Sequence, residues 1–83
     1  MMNDHLRLHG TTLRAGALTW QARCLDTRLI GDSQWLEVAL SGLPTYTVVL
    51  KVSATADHHD ARRALEWWLL TPGHENGDVI EVV

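Results

Sequence analysis

Apolar and polar residues alternate with a period of two along much of the chain. Leu18, Trp20, Ala22 and Cys24 are separated by Thr19, Gln21 and Arg23, the pattern of a strand with one buried face. Leu36, Val38 and Leu40 repeat it. Tyr46, Val48, Leu50 and Val52 repeat it again, with Thr45, Thr47, Val49 and Lys51 on the other side. A weaker run, His5 to His9, offers Leu6 and Leu8 as a first strand.

Turn chemistry fixes how these strands pair. Ile30-Gly31-Asp32-Ser33 has glycine at the first central position, as a two-residue type II′ hairpin turn requires. Uninterrupted pairing from Ile30 opposite Ser33 sets Asp26 against Glu37 and separates the Cys24 face from the Val38 face. Two carboxylates directly opposed are unfavourable. One extra residue between Asp26 and Arg28 brings Cys24 opposite Val38 and Ala22 opposite Leu40, so a β-bulge is expected there. In the next hairpin a loop over Ser41 to Thr45 sets Leu40 opposite Tyr46, Val38 opposite Val48 and Leu36 opposite Leu50.

The period then changes. Ala61, Ala64, Leu65, Trp68 and Leu69 recur at the three-and-four spacing of one buried stripe, predicting a helix from Ser53 to Leu70. Thr55 or Asp57 can cap its first turn, Asp57 and Asp60 complement its positive end, and Pro72 stops it. Gly73 to Gly77 reads as a loop. Asp78 to Val83 is extended and must pair with the sheet or fray. The expected fold is α+β: an antiparallel meander of three or four strands, one helix on one face, and a C-terminal strand returning to the sheet, a two-layer sandwich. Residues 1–83 read as a single domain.

At 83 residues such a chain buries only about 60% of its unfolded surface. Its four tryptophans, with one tyrosine and no phenylalanine, therefore matter. The net charge of −3 and the scatter of the seven basic residues argue against nucleic acid as a partner. No run approaches the roughly 18 apolar residues of a membrane span. A single cysteine cannot form an internal disulfide, and the charged first ten residues do not read as a signal peptide, which together suggest a cytoplasmic protein. The compactness suggests a bacterial source.

Reactive side chains are not gathered. Cys24 belongs to the apolar series of its strand and reads as an inert core thiol. His58 and His59 are adjacent on a helix, pointing about 100° apart, and cannot easily grip one ion. His5 and His9 would lie about 13 Å apart along a strand. Asp57 and Asp60 read as capping residues, and Glu66 as a helix-surface partner of Arg62 or Arg63. No metal, cofactor or catalytic residue is expected.

Two tryptophans are left over. Trp67 is rotated roughly 120° from the buried stripe, so either the loop from Thr71 to Asp78 folds over it or a partner covers it. Arg63, one turn earlier, is a candidate cation-π neighbour. Trp35 faces away from the helix beside Lys51 and Val49, with Leu25 or Leu29 near the same surface. The leading expectation is a non-catalytic protein-interaction module that self-associates as a homodimer, with Trp35, Val49, Lys51, Arg63 and Trp67 as its surface. The alternative is a small-molecule or metal-binding domain with a pocket between sheet and helix near Trp20, Tyr46 and Trp68, or at a dimer interface.

Overall fold

The computed structural model describes residues 8–83. The elements are β1 (Thr12–Ala15), β2 (Leu18–Ile30), β3 (Ser33–Ser41), β4 (Tyr46–Val52), α1 (His58–Leu70) and β5 (Val79–Val82). The five strands form one sheet in sequence order. β1 to β4 are antiparallel neighbours, whereas β5 pairs parallel to β4 because the helix carries the chain back before it enters the sheet. The α+β class expected from the sequence holds. The three- or four-stranded antiparallel meander becomes a mixed sheet of five strands, curled into a half-barrel with the helix packed against both edge strands.

The first strand among the described residues lies beyond the run that alternation suggested. Of the strand expected over 5–9, residues 5–7 lie outside the described residues, and Leu8 and His9 are not in a strand. Leu8 is nevertheless fully buried. The pairing strand is β1, whose Leu13 and Ala15 point inward while Thr12 and Arg14 are exposed. Gly16, at φ +64°, opens the two-residue turn that sets Ala15 opposite Leu18.

The bulge in β2 is present two residues earlier than expected. Leu25 is the extra residue, between Cys24 and Asp26. Cys24 still meets Val38 and Ala22 meets Leu40, so the apolar face is continuous. Asp26 does lie opposite Glu37, and the local chain compensates: Asp26 accepts the Thr27 amide at 2.9 Å and the Arg28 guanidinium at 3.3 Å. Gly31 has φ +62° and Asp32 does not share that sign, as a type II′ turn demands. The β3–β4 register is as expected throughout, with Leu40, Val38 and Leu36 opposite Tyr46, Val48 and Leu50.

The helix begins five residues later than Ser53. Asp57 is its N-cap, accepting the Asp60 amide at 3.0 Å, while the Asp60 side chain accepts the Asp57 amide at 3.1 Å. This reciprocal pair satisfies two amides that a longer helix would have left to weaker caps. The residues before it serve the sheet instead: the Ser53 amide donates to Val82, extending the β4–β5 seam. Ala61, Leu65, Trp68 and Leu69 are buried against the strands, with Ala64 partly so. Glu66 does not pair with Arg62 or Arg63. Its carboxylate accepts the backbone amide of Arg14 at 2.8 Å, covering an edge amide of β1.

At the far end of β3 the chain closes over Trp20. The Trp20 indole donates to the Pro44 carbonyl at 2.6 Å, and the Thr45 hydroxyl donates to the Gly42 carbonyl at 3.0 Å. A Cβ on Gly42 would run into the Trp20 ring, 2.7 Å from Nε1 and 2.9 Å from Cγ. Gly42→Ala is therefore expected to cost about 1–3 kcal/mol, the usual penalty for overpacking, in an equilibrium denaturant titration. No loss of stability would mean that the loop does not press on the indole.

Candidate interaction surface

The sheet and helix divide the four tryptophans into two classes. Trp20 and Trp68 lie inside. Tyr46 stands between them, 6.2 Å from Trp20 and edge-on to Trp68 at 5.3 Å, centroid to centroid. The three residues expected to frame a pocket are therefore brought together, but as a cluster that packs upon itself. His74 completes it, stacked on Trp68 at 4.4 Å and edge-on to Tyr46 at 5.0 Å. Its Nδ1 lies 2.8 Å from the Trp68 carbonyl. A carbonyl only accepts, so that nitrogen carries the proton.

Sequence reasoning missed His74 and Asp78 as the clamp on Trp68. Asp78 Oδ2 accepts both the Trp68 indole and the Glu75 amide, each at 2.9 Å. The loop after the helix thus folds over Trp68, and Trp67 is left out. The available signal was Asp78 at the foot of β5, a turn-forming acid directly after Gly77. Asp78 is held below the usual carboxylate range, chiefly by the Glu75 amide and next by the Trp68 indole.

Trp67 is 73% exposed, against 8% for Trp68. Leu70, 59% exposed, stands beside it, and both line a depression of about 300 Å³ with Thr71 and Pro72. Arg63 is drawn to Asp60 at 2.7 Å, so its charge is committed one turn away. Leu70 and Pro72 extend the surface beyond what was expected, because the helix ends with its last turn only half covered.

The other three expected residues meet on the outer face of the sheet. Trp35 is directly opposite Lys51, whose ammonium lies 5.5 Å from the indole centroid and 3.6 Å from the Glu81 carboxylate. Val49 follows on the same face, opposite Glu37. Trp35 and Val49 line a depression of about 260 Å³ with Asp26, Arg28, Ile30, Leu36 and Glu37. Trp35 and Val49 are half-buried there. Trp35, Val49 and Lys51 thus form one surface, while Arg63 and Trp67 belong to another on the helix side.

The remaining reactive groups are engaged structurally. Burial pushes the Cys24 thiol up, only partly offset by the His9 backbone. The Cys24 amide donates to His9 Nδ1 at 3.1 Å. His58 and His59 rings lie 4.1 Å apart, and no group of three metal-ligating side chains converges among the described residues. Asp57 is held below the ordinary carboxylate range, first by the Asp60 amide, as its capping role requires.

Asp78 supplies a pH test. Its folded value is lowered, so its contribution is present above the ordinary carboxylate pKa of about 4 and is lost as pH falls through the lowered value. Asp78→Asn keeps an acceptor but removes the charge. In thermal melts from neutral to strongly acid pH, the wild type should exceed Asp78→Asn at pH 7, and the gap should close below about pH 4. A gap that is independent of pH would show that the charge plays no part. Comparison with protein-family models, curated proteins and solved structures finds no match for this chain.

Proposed function

We propose that this protein is a small non-catalytic interaction module that self-associates through its sheet and offers the Trp67 surface to a protein partner. The observation that carries the reading is Trp67 itself: an indole 73% exposed, beside an exposed leucine, on the well-packed helix of a small domain. Large aromatic residues are the usual anchors of protein interfaces, and exposing one without a partner is costly. The half-buried Trp35, Val49 and Lys51 support a second contact on the sheet side. Asp57 and Asp60 are engaged in capping and Cys24 in packing, which supports a binding role over a reaction. Among the described residues no helix is long and apolar enough to cross a membrane. We favour the cytoplasm because the one cysteine, half-buried against the core, is a free thiol, as is usual in proteins of reducing compartments.

A surface kept for a partner contributes little to folding. Trp67→Ala should leave the unfolding free energy within about 0.5 kcal/mol of wild type, whereas Trp68→Ala should lose about 3–5 kcal/mol. A loss of several kcal/mol for Trp67→Ala would assign that indole to the fold. Sedimentation equilibrium of the wild type should show a dimer forming at high micromolar concentration. A monomer throughout that range would remove self-association from the reading.

A further inference from the structure

We infer that two copies of this chain join antiparallel along the edge of β2 that is unpaired among the described residues, from Leu25 to Leu29, about a two-fold axis at Thr27. This inference rests on the self-association proposed above and names its surface and register. β1 pairs with β2 only over Leu18 to Gln21, and the His9 side chain takes the Cys24 amide. Beyond the bulge, no strand among the described residues pairs with that edge. Leu25 and Leu29 are each 49% exposed there.

The register follows from parity and charge. In a two-residue hairpin the closing pair, Ile30 and Ser33, exchanges hydrogen bonds, so Arg28 and Asp26 also face β3 while Leu29 and Thr27 turn their backbone groups outward. The Thr27 amide accordingly bonds to the Asp26 side chain instead of to β3. A two-fold axis joining like edges sets each residue opposite one of the same face, so the axis must pass through a residue. Centred on Asp26 or on Arg28, the pairing opposes two like charges at the axis. Centred on Thr27, it sets Asp26 opposite the second copy's Arg28 and Arg28 opposite its Asp26, with the exposed Leu25 and Leu29 at the two ends of the paired segment. Both charge pairs are complementary only in this register.

Opposed carboxylates also favour a second cation beside them. Asp26 and Glu37 stand directly opposed across β2 and β3, with Arg28 alone beside Asp26 at 3.3 Å. Pairing brings the second copy's Arg28 alongside the same carboxylates, next to the depression that holds Trp35. Asp26 then releases the Thr27 amide, which bonds across the axis to the carbonyl of its counterpart. In the single chain Asp26 guards this edge, and the exchange is balanced. Five residues a side make a small interface, so the dimer is weak.

Sedimentation equilibrium on charge-reversed full chains tests this. Asp26→Arg and Arg28→Asp each set like charges across the axis, so each alone should dimerise more than about tenfold less well than wild type. Mixed together they restore both pairs between molecules, and a one-to-one heterodimer should form with near wild-type strength. Repair within one chain cannot mimic that result, because neither variant carries a complementary pair. Thr27→Pro, which removes an amide not used by the β2–β3 ladder, should abolish the dimer while far-ultraviolet circular dichroism and the melting temperature show a folded chain. A wild-type dimer that survives Thr27→Pro, or a mixture that stays monomeric while wild type dimerises, would overturn this register and leave self-association standing. A wild-type monomer would remove both.

Discussion

Among the described residues, one helix of thirteen residues is the only helix that covers this five-stranded sheet. A helix can bury one face of a sheet, and the sheet curls to meet it so that both edge strands touch its flanks. The core is built within that curve, from Leu13 on β1 to Val82 on β5. The convex side is covered only in part, and Trp67 and Leu70 on the last turn of the helix stay exposed. The distribution of tryptophans follows from this geometry: Trp20, under the β3–β4 loop, and Trp68, on the inner face of the helix, join the core, whereas Trp35 is half-buried on the outer face and Trp67 is exposed.

Edges pose the second problem, and the chain meets it with side chains. Glu66 takes the Arg14 amide on β1, His9 takes the Cys24 amide on β2, and Asn76 takes the Thr47 amide on β4. Each is a polar group reaching a strand amide that has no strand partner there, a way of preventing indiscriminate pairing. Asp26 does the same for Thr27, but from within the same strand and with its own arginine neighbour. That cap is local and can be exchanged for an equivalent pairing, unlike Glu66, which is anchored on a packed helix. The edge beyond the bulge is thus the least firmly closed of those described.

How far the sequence carried this picture depended on the range of the interactions concerned. The registers of β2, β3 and β4 were legible because turn chemistry and a shared apolar face leave one consistent alignment. The bulge was legible in kind and displaced in position: Leu25 and Thr27 both restore the face, and alternation does not distinguish them. β1 was missed because four residues give little periodicity, although Gly16-Ala17 marked its turn. The parallel pairing of β5 depends on the path of the helix, which no local pattern encodes. Of the candidate site, Trp67 and Trp35 were legible from helical angle and strand parity. The clamp of His74 and Asp78 on Trp68 was not, because a loop's choice between two adjacent indoles is settled by packing at a distance.

This fold buries and hydrogen-bonds the indoles of Trp20 and Trp68, half-covers Trp35 and leaves Trp67 exposed. Hydrogen exchange at the four indole nitrogens, followed by NMR in dilute protein, reads it directly. Trp20 and Trp68 donate to Pro44 and Asp78, so their indole hydrogens should exchange slowly, while those of Trp35 and Trp67 exchange fast. Four slowly exchanging indoles in a dilute monomer would show that one chain shelters them all, and would contradict the account.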